Sequence, residues 1–141
     1  MLLRRIYSDT NLAQLLAPIN EEVQIKGIIV RITGTAGATA PVVGDVGRIQ
    51  YQKNGVTLVD IGFDALLMLG DLMGGTPNRE STNSGIVDFY AYIPRRWQDK
   101  NCELVLPRDN GILRATFNSN LATRIASAGL VEVYLDINEG E

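Results

Sequence analysis

The tightest constraint on the fold is a dipeptide. Asn54-Gly55 stands between two segments of alternating polarity, residues 48–53 and 56–61. Asn-Gly supplies the two positive-φ residues of a type I′ turn, whose twist suits paired strands, so the flanks are expected to form an antiparallel hairpin. A two-residue turn sets Tyr51 opposite Leu58 on one face and Gln50 opposite Val59 on the other. The same period recurs along the chain. Val23 and Ile25 alternate with polar neighbours, and after Gly27 the phase flips so that Ile28, Val30 and Ile32 point inward. A one-residue phase change at a glycine predicts a β-bulge in one long, bent strand. Residues 86–93 place Val87, Phe89, Ala91 and Ile93 on one face, and residues 130–137 do the same with Val131, Val133, Leu135 and Ile137. Residues 113–117 and the shorter 103–106, closed by Pro107, bring the count to seven strands, with an eighth at residues 3–7. The inward rows are expected to include Val23, Ile25, Val30, Phe89, Ala91, Ile93, Leu113, Phe117, Val133 and Leu135.

Helical signals are few. Residues 1–20 read as an N-terminal arm and a short helix, with Ser8 and Asp9 as caps, a stripe of Leu12, Leu15 and Leu16, and Pro18 as the stop. Residues 63–73 read as a second helix, capped by Asp64 and stopped by Gly74-Gly75. Residues 34–47 are an aperiodic, flexible loop of small residues, 76–84 a polar loop, and 119–129 a connecting loop or short helix. At 141 residues, 45% hydrophobic and 21% charged, the chain has the length and composition of one globular domain. It divides into the arm and short helix, 1–20, and a single domain, 21–141. Short strands with two helical inserts predict an all-β antiparallel sandwich or barrel.

The chemistry on offer is thin. There is no histidine, which removes Ser-His-Asp and Cys-His catalysis and histidine-ligated metals. The single cysteine, Cys102, has no internal disulfide partner and reads as a buried free thiol. Thirteen basic and sixteen acidic residues give a net charge of −3, too little positive charge to coat a nucleic-acid backbone. Two arginines interrupt the first apolar stretch, so no signal peptide is expected. Gly34, Gly37, Gly44 and Gly47 match no phosphate-loop pattern, and the carboxylates Asp60, Asp64, Asp71, Asp88, Asp99 and Asp136 are scattered and read as solvated turns and caps. Arg95-Arg96-Trp97 could stack a base or a sugar, but a tryptophan anchoring a loop to the barrel is the plainer reading. No catalytic residue, cofactor site, metal site or small-molecule substrate is expected. The outward rows Ile86, Asp88, Tyr90, Tyr92 and Leu130, Glu132, Tyr134, Asp136 are half apolar and rich in tyrosine, a composition that suits protein contact or, equally, cover by the N-terminal helix. With the apolar residues of the first segment they make the candidate subunit interface: Leu2, Leu3, Ile6, Tyr7, Leu12, Leu15, Tyr90, Tyr92 and Tyr134.

The order of pieces resembles a known family. The hairpin at Asn54-Gly55 is followed by Phe89-Tyr-Ala-Tyr-Ile-Pro-Arg95, Leu104-Val-Leu-Pro107, Leu113-x-x-x-Phe117 and Val131-Glu-Val-Tyr-Leu135. This is similar to the jelly-roll capsid proteins of tailless icosahedral viruses of the adenovirus–tectivirus lineage, over roughly residues 21–138. Many members fuse two barrels; this chain has room for one and resembles the single-barrel coat proteins, or an isolated half of a double-barrel one. The resemblance implies an eight-stranded antiparallel jelly roll with short helical inserts. It also implies a structural shell subunit, made in a host cytoplasm and built into a virion, often around an internal membrane that the subunit would contact. Its partners would be further copies of itself or a second coat protein, since one barrel alone cannot make the pseudo-hexagonal tile. The resemblance carries over no catalytic residue. A carbohydrate-binding jelly-roll module is the alternative, although such modules usually present several exposed aromatics.

Overall fold

Residues 2–20, 22–39, 41–65, 79–81, 86–95 and 103–137 are described by the computed structural model. The alternating segments become strands β1 (Leu2–Asp9), β2 (Gln14–Ile19), β3 (Val23–Ala36), β4 (Arg48–Lys53), β5 (Val56–Gly62), β6 (Arg79–Ser81), β7 (Ile86–Pro94), β8 (Glu103–Val105), β9 (Gly111–Thr116) and β10 (Ile125–Ile137). Among the described residues a six-residue helix, α1 (Ser119–Arg124), and the 3-10 turns Val43–Asp45 and Pro107–Asp109 lie between them. The protein is therefore mostly β, in two antiparallel sheets. The first runs β1-β10-β3-β7-β6, with β8 pairing the start of β3, and the second runs β2-β9-β4-β5.

The inward rows are as the periodicity predicts. All ten of the residues expected inside are buried, and they meet Leu15, Ile19, Ile49, Tyr51 and Phe63 from the second sheet and its connections in one core. Phe63 and Phe89 pack ring on ring, centroids 6.3 Å apart and tilted by 51°. The phase flip in β3 is a bulge: Ile25 pairs with Ile137 while Gly27 pairs with Asp136, and Lys26 is the extra residue.

The hairpin forms as expected, with Asn54 at φ 52° and Gly55 at φ 78°, but its register is corrected. A bulge between Tyr51 and Gln52 moves Tyr51 opposite Val59 and Gln50 opposite Asp60, which leaves Leu58 as the extra, exposed residue. An irregularity two residue pairs from the turn is invisible to a rule that counts only turn length. A β-carbon at Gly55 would meet open space, so Gly55→Val is strained by its backbone alone. We expect a loss of about 1–3 kcal/mol in urea unfolding; an unchanged midpoint would show that the turn relaxes freely to another type.

The first twenty residues also need correction. They form two strands, not an arm and a helix. Leu15, Ala17 and Ile19 point into the core while Gln14, Leu16 and Pro18 face out. Pro18 is no helix stop: β2 is the outermost strand of its sheet, where a proline is tolerated because one side of the strand carries no ladder. The expected helix at 63–73 is helical at residues 63–65 and otherwise lies outside the described residues. The loop at 76–84 contains β6. The loop at 34–47 is tied down. Asp45, 4% exposed, accepts from the Val42 N–H at 3.0 Å and from Arg124 Nη1 at 2.9 Å, and its carbonyl accepts from the Asn118 N–H at 2.9 Å.

Candidate functional site

Cross-strand register lays the outward side chains of the first sheet into a lattice. One row reads Arg5, Tyr134, Ile29, Tyr92 from β1 through β10 and β3 to β7; the next reads Glu132, Arg31, Tyr90. Ile29 points away from the core yet is fully buried, with Tyr134 and Tyr92 as its cross-strand neighbours. The Tyr92 ring lies over Gly27, where any β-carbon would overlap it, and so reaches across β3 to β10, donating from its hydroxyl to Asp136 Oδ2 at 2.7 Å. Gly27 thus serves two ends, the bulge and the passage of a ring.

The charges on this face are largely matched within it. Arg31 holds Asp88 with both prongs, Nε to Oδ1 at 3.2 Å and Nη2 to Oδ2 at 3.3 Å, and this bonding raises the Arg31 pKa above its ordinary value. The Tyr134 hydroxyl donates to Glu132 Oε2 at 2.7 Å, and Arg5 Nη1 lies 3.6 Å from the same oxygen. The bond to Glu132, and then burial, push the Tyr134 pKa up. Glu132 and Asp136 are 8% and 3% exposed, and Asp136 Oδ1 is buried with no hydrogen-bond partner. The face therefore offers tyrosine rings over an interlocked polar layer.

The candidate interface residues do not share one fate. Tyr90, Tyr92 and Tyr134 are half-buried on this face, and Leu3, in the row with Asp136, is 43% exposed. Ile6, Tyr7 and Leu12 pack half-buried against the protein's own core. Burial is the main cause raising the Tyr7 pKa, with Asp9 behind it. Leu15, 1% exposed, is a core residue and is withdrawn as an interface residue. Leu2 belongs to β1, but its side chain lies outside the described residues. Arg95 packs its guanidinium 5.1 Å from the Tyr51 ring centroid, a structural placement at the end of the sandwich; Arg96, Trp97 and Cys102 lie outside the described residues.

A feature that sequence reasoning missed lies on the outer face of the second sheet. A groove of about 470 Å³ is lined by Arg48 and Gln50 of β4, Arg114 and Thr116 of β9, and Asn118, with Gly44 and Gly47 at its rim. Its components were legible singly, as outward positions in alternating strands, but the pairing that joins β4 to β9 is not a local signal. Among the described residues no group of three or more acidic or cysteine side chains could hold a metal ion. No family model matches the chain, and no curated protein matches it in sequence.

Proposed function

We propose that the chain is a structural subunit of a viral capsid, a single jelly-roll barrel that builds a shell by associating with copies of itself or with a second coat protein. The observation that carries this reading is the strand order. Leaving out the short β6 and β8, eight strands remain in the order β1-β10-β3-β7 facing β2-β9-β4-β5. The chain changes sheet at most of its connections, as a wound double Greek key does. Fold alone does not fix function, and two further features support a shell role. The segments that carry the resemblance include the aromatic one ending Ile93-Pro94-Arg95, which lies on β7 as far as Pro94, and 104–107, which lies around β8. The tyrosine face of the first sheet has the composition of a contact surface.

In this reading Tyr90 and Tyr134 are contact residues and Tyr92 is held by Asp136 as support. The double variant Tyr90→Ala/Tyr134→Ala removes two rings from a surface and none from the core. Light scattering over a concentration series is expected to show self-association needing at least about tenfold more protein than wild type, the size of one or two lost hot-spot residues. The melting temperature should move by only a few degrees. Equal association in the two proteins would place the contact elsewhere.

A carbohydrate-binding barrel is the second reading, favoured by one observation, the groove of mixed polar and apolar lining on the second sheet. The two readings are compatible, because the groove and the tyrosine face lie on different sheets.

A further inference from the structure

We infer that the groove on the second sheet is a binding site for an oxyanion, a carboxylate or sulfate group carried by a ligand about the size of a sugar ring. The inference rests on the groove alone and holds whether or not the chain builds a shell.

Register places the charges. Arg114 on β9 stands directly opposite Gln50 on β4, and Arg48 is two residues along from Gln50 on the same face. Arg48 and Arg114 are therefore diagonal neighbours, with β-carbons roughly 7–8 Å apart, close enough for two long guanidinium side chains to close on one anionic group. Their commitments differ. Arg48 donates from Nε to Asp60 Oδ1 at 2.8 Å and from Nη2 to the Asp60 carbonyl at 3.1 Å, so its plane is fixed while Nη1 stays uncommitted. Arg114 is exposed, and among the described residues it has no hydrogen-bond or ion-pair partner, leaving all five of its donors open. The Gln50 amide and the Thr116 hydroxyl make no hydrogen bond among the described residues either.

Donors outnumber the open acceptors, which are Gln50 Oε1, Thr116 Oγ1 and Asp60 Oδ2. Asp60 is engaged by Arg48, and Asn118 Oδ1 accepts from the Asn120 N–H at 3.0 Å, which leaves the Asn118 amide nitrogen as a further donor. On a chain of net charge −3, the groove is a local reversal of sign with a surplus of donors. A two-oxygen carboxylate, or the three-oxygen face of a sulfate group, matches a fork of guanidinium donors better than any neutral group does. The groove, at about 470 Å³, falls within the usual range for small-molecule sites, which also makes room for the body that carries the anion.

The test follows the Arg114 Nε–Hε resonance by NMR while the protein is titrated with glucuronate, inorganic sulfate and, as a neutral control, glucose. We expect a saturable shift with glucuronate, sulfate or both, weakening as salt is added, and none with glucose. Glucuronate binding more tightly than sulfate would show that the groove also holds the ring; equal affinity would show that it reads the charge alone. Arg114→Gln should weaken binding of the anion at least about tenfold, followed through the Gln50 side-chain amide, with the melting temperature unchanged because Arg114 has no partner to lose. No saturable shift with either anion, an equal shift with glucose, or full affinity in Arg114→Gln would overturn the inference.

Discussion

Phe89→Ala is expected to cost about 3–5 kcal/mol in equilibrium unfolding, the largest effect of any single truncation in the core. Phe89 is fully buried in β7, and its ring meets Phe63, which enters from the second sheet at the end of β5. The two sheets touch through this pair, so neighbours cannot collapse into the space without moving one sheet relative to the other. For a domain of this length the melting temperature should fall by roughly 10 °C or more. A loss below about 1 kcal/mol would place Phe89 on the surface, and with it the whole alternating row Val87, Phe89, Ala91 and Ile93.

Deleting residues 1–9 is expected to do more. As an arm the segment would be dispensable to the two-sheet fold. As β1 it lines the second half of β10, from Leu2 opposite Ile137 to Asp9 opposite Val131, and Ile6 and Tyr7 pack against the core. Its loss would strip the ladder from one edge of β10 and open the flank of Val131, Val133 and Leu135 to water. Thermal unfolding followed by near-ultraviolet circular dichroism should lose its cooperative transition or move it down by more than about 10 °C. An unchanged melt together with lost association would restore the arm as an intersubunit tie.

What the sequence carried, and what it did not, follows from the range of each signal. Strand phase is local. The rows on β3, β7, β9 and β10 were legible because one buried face forces alternation, and the bulge at Gly27 was legible because the phase flips there. Residues 14–19 alternate too, with Leu15, Ala17 and Ile19 inward, but Leu12, Leu15 and Leu16 also satisfy a helical spacing. Pro18 tilted the balance, since a proline tolerated at a sheet edge looks in sequence like a helix terminator. The hairpin register failed over one extra residue, Leu58. The anchoring of residues 41–47 rests on Asp45 meeting Arg124, a pair no local rule connects. The candidate site divides in the same way. The outward positions of Tyr90, Tyr92 and Tyr134 could be read from period two. The reach of Tyr92 over Gly27 to Asp136, and the meeting of Arg48 with Arg114, depend on which strands lie side by side.

Sedimentation of material from the protein's native source, with this chain detected by antibody across the gradient, separates a shell subunit from a free domain. The chain is expected to travel with virus-sized particles, in step with copies of itself or a second coat protein, and mild disruption of those particles is expected to release small, discrete oligomers. A chain that stays at the top of the gradient as a free single chain, with no partner moving beside it, would overturn the proposed shell role.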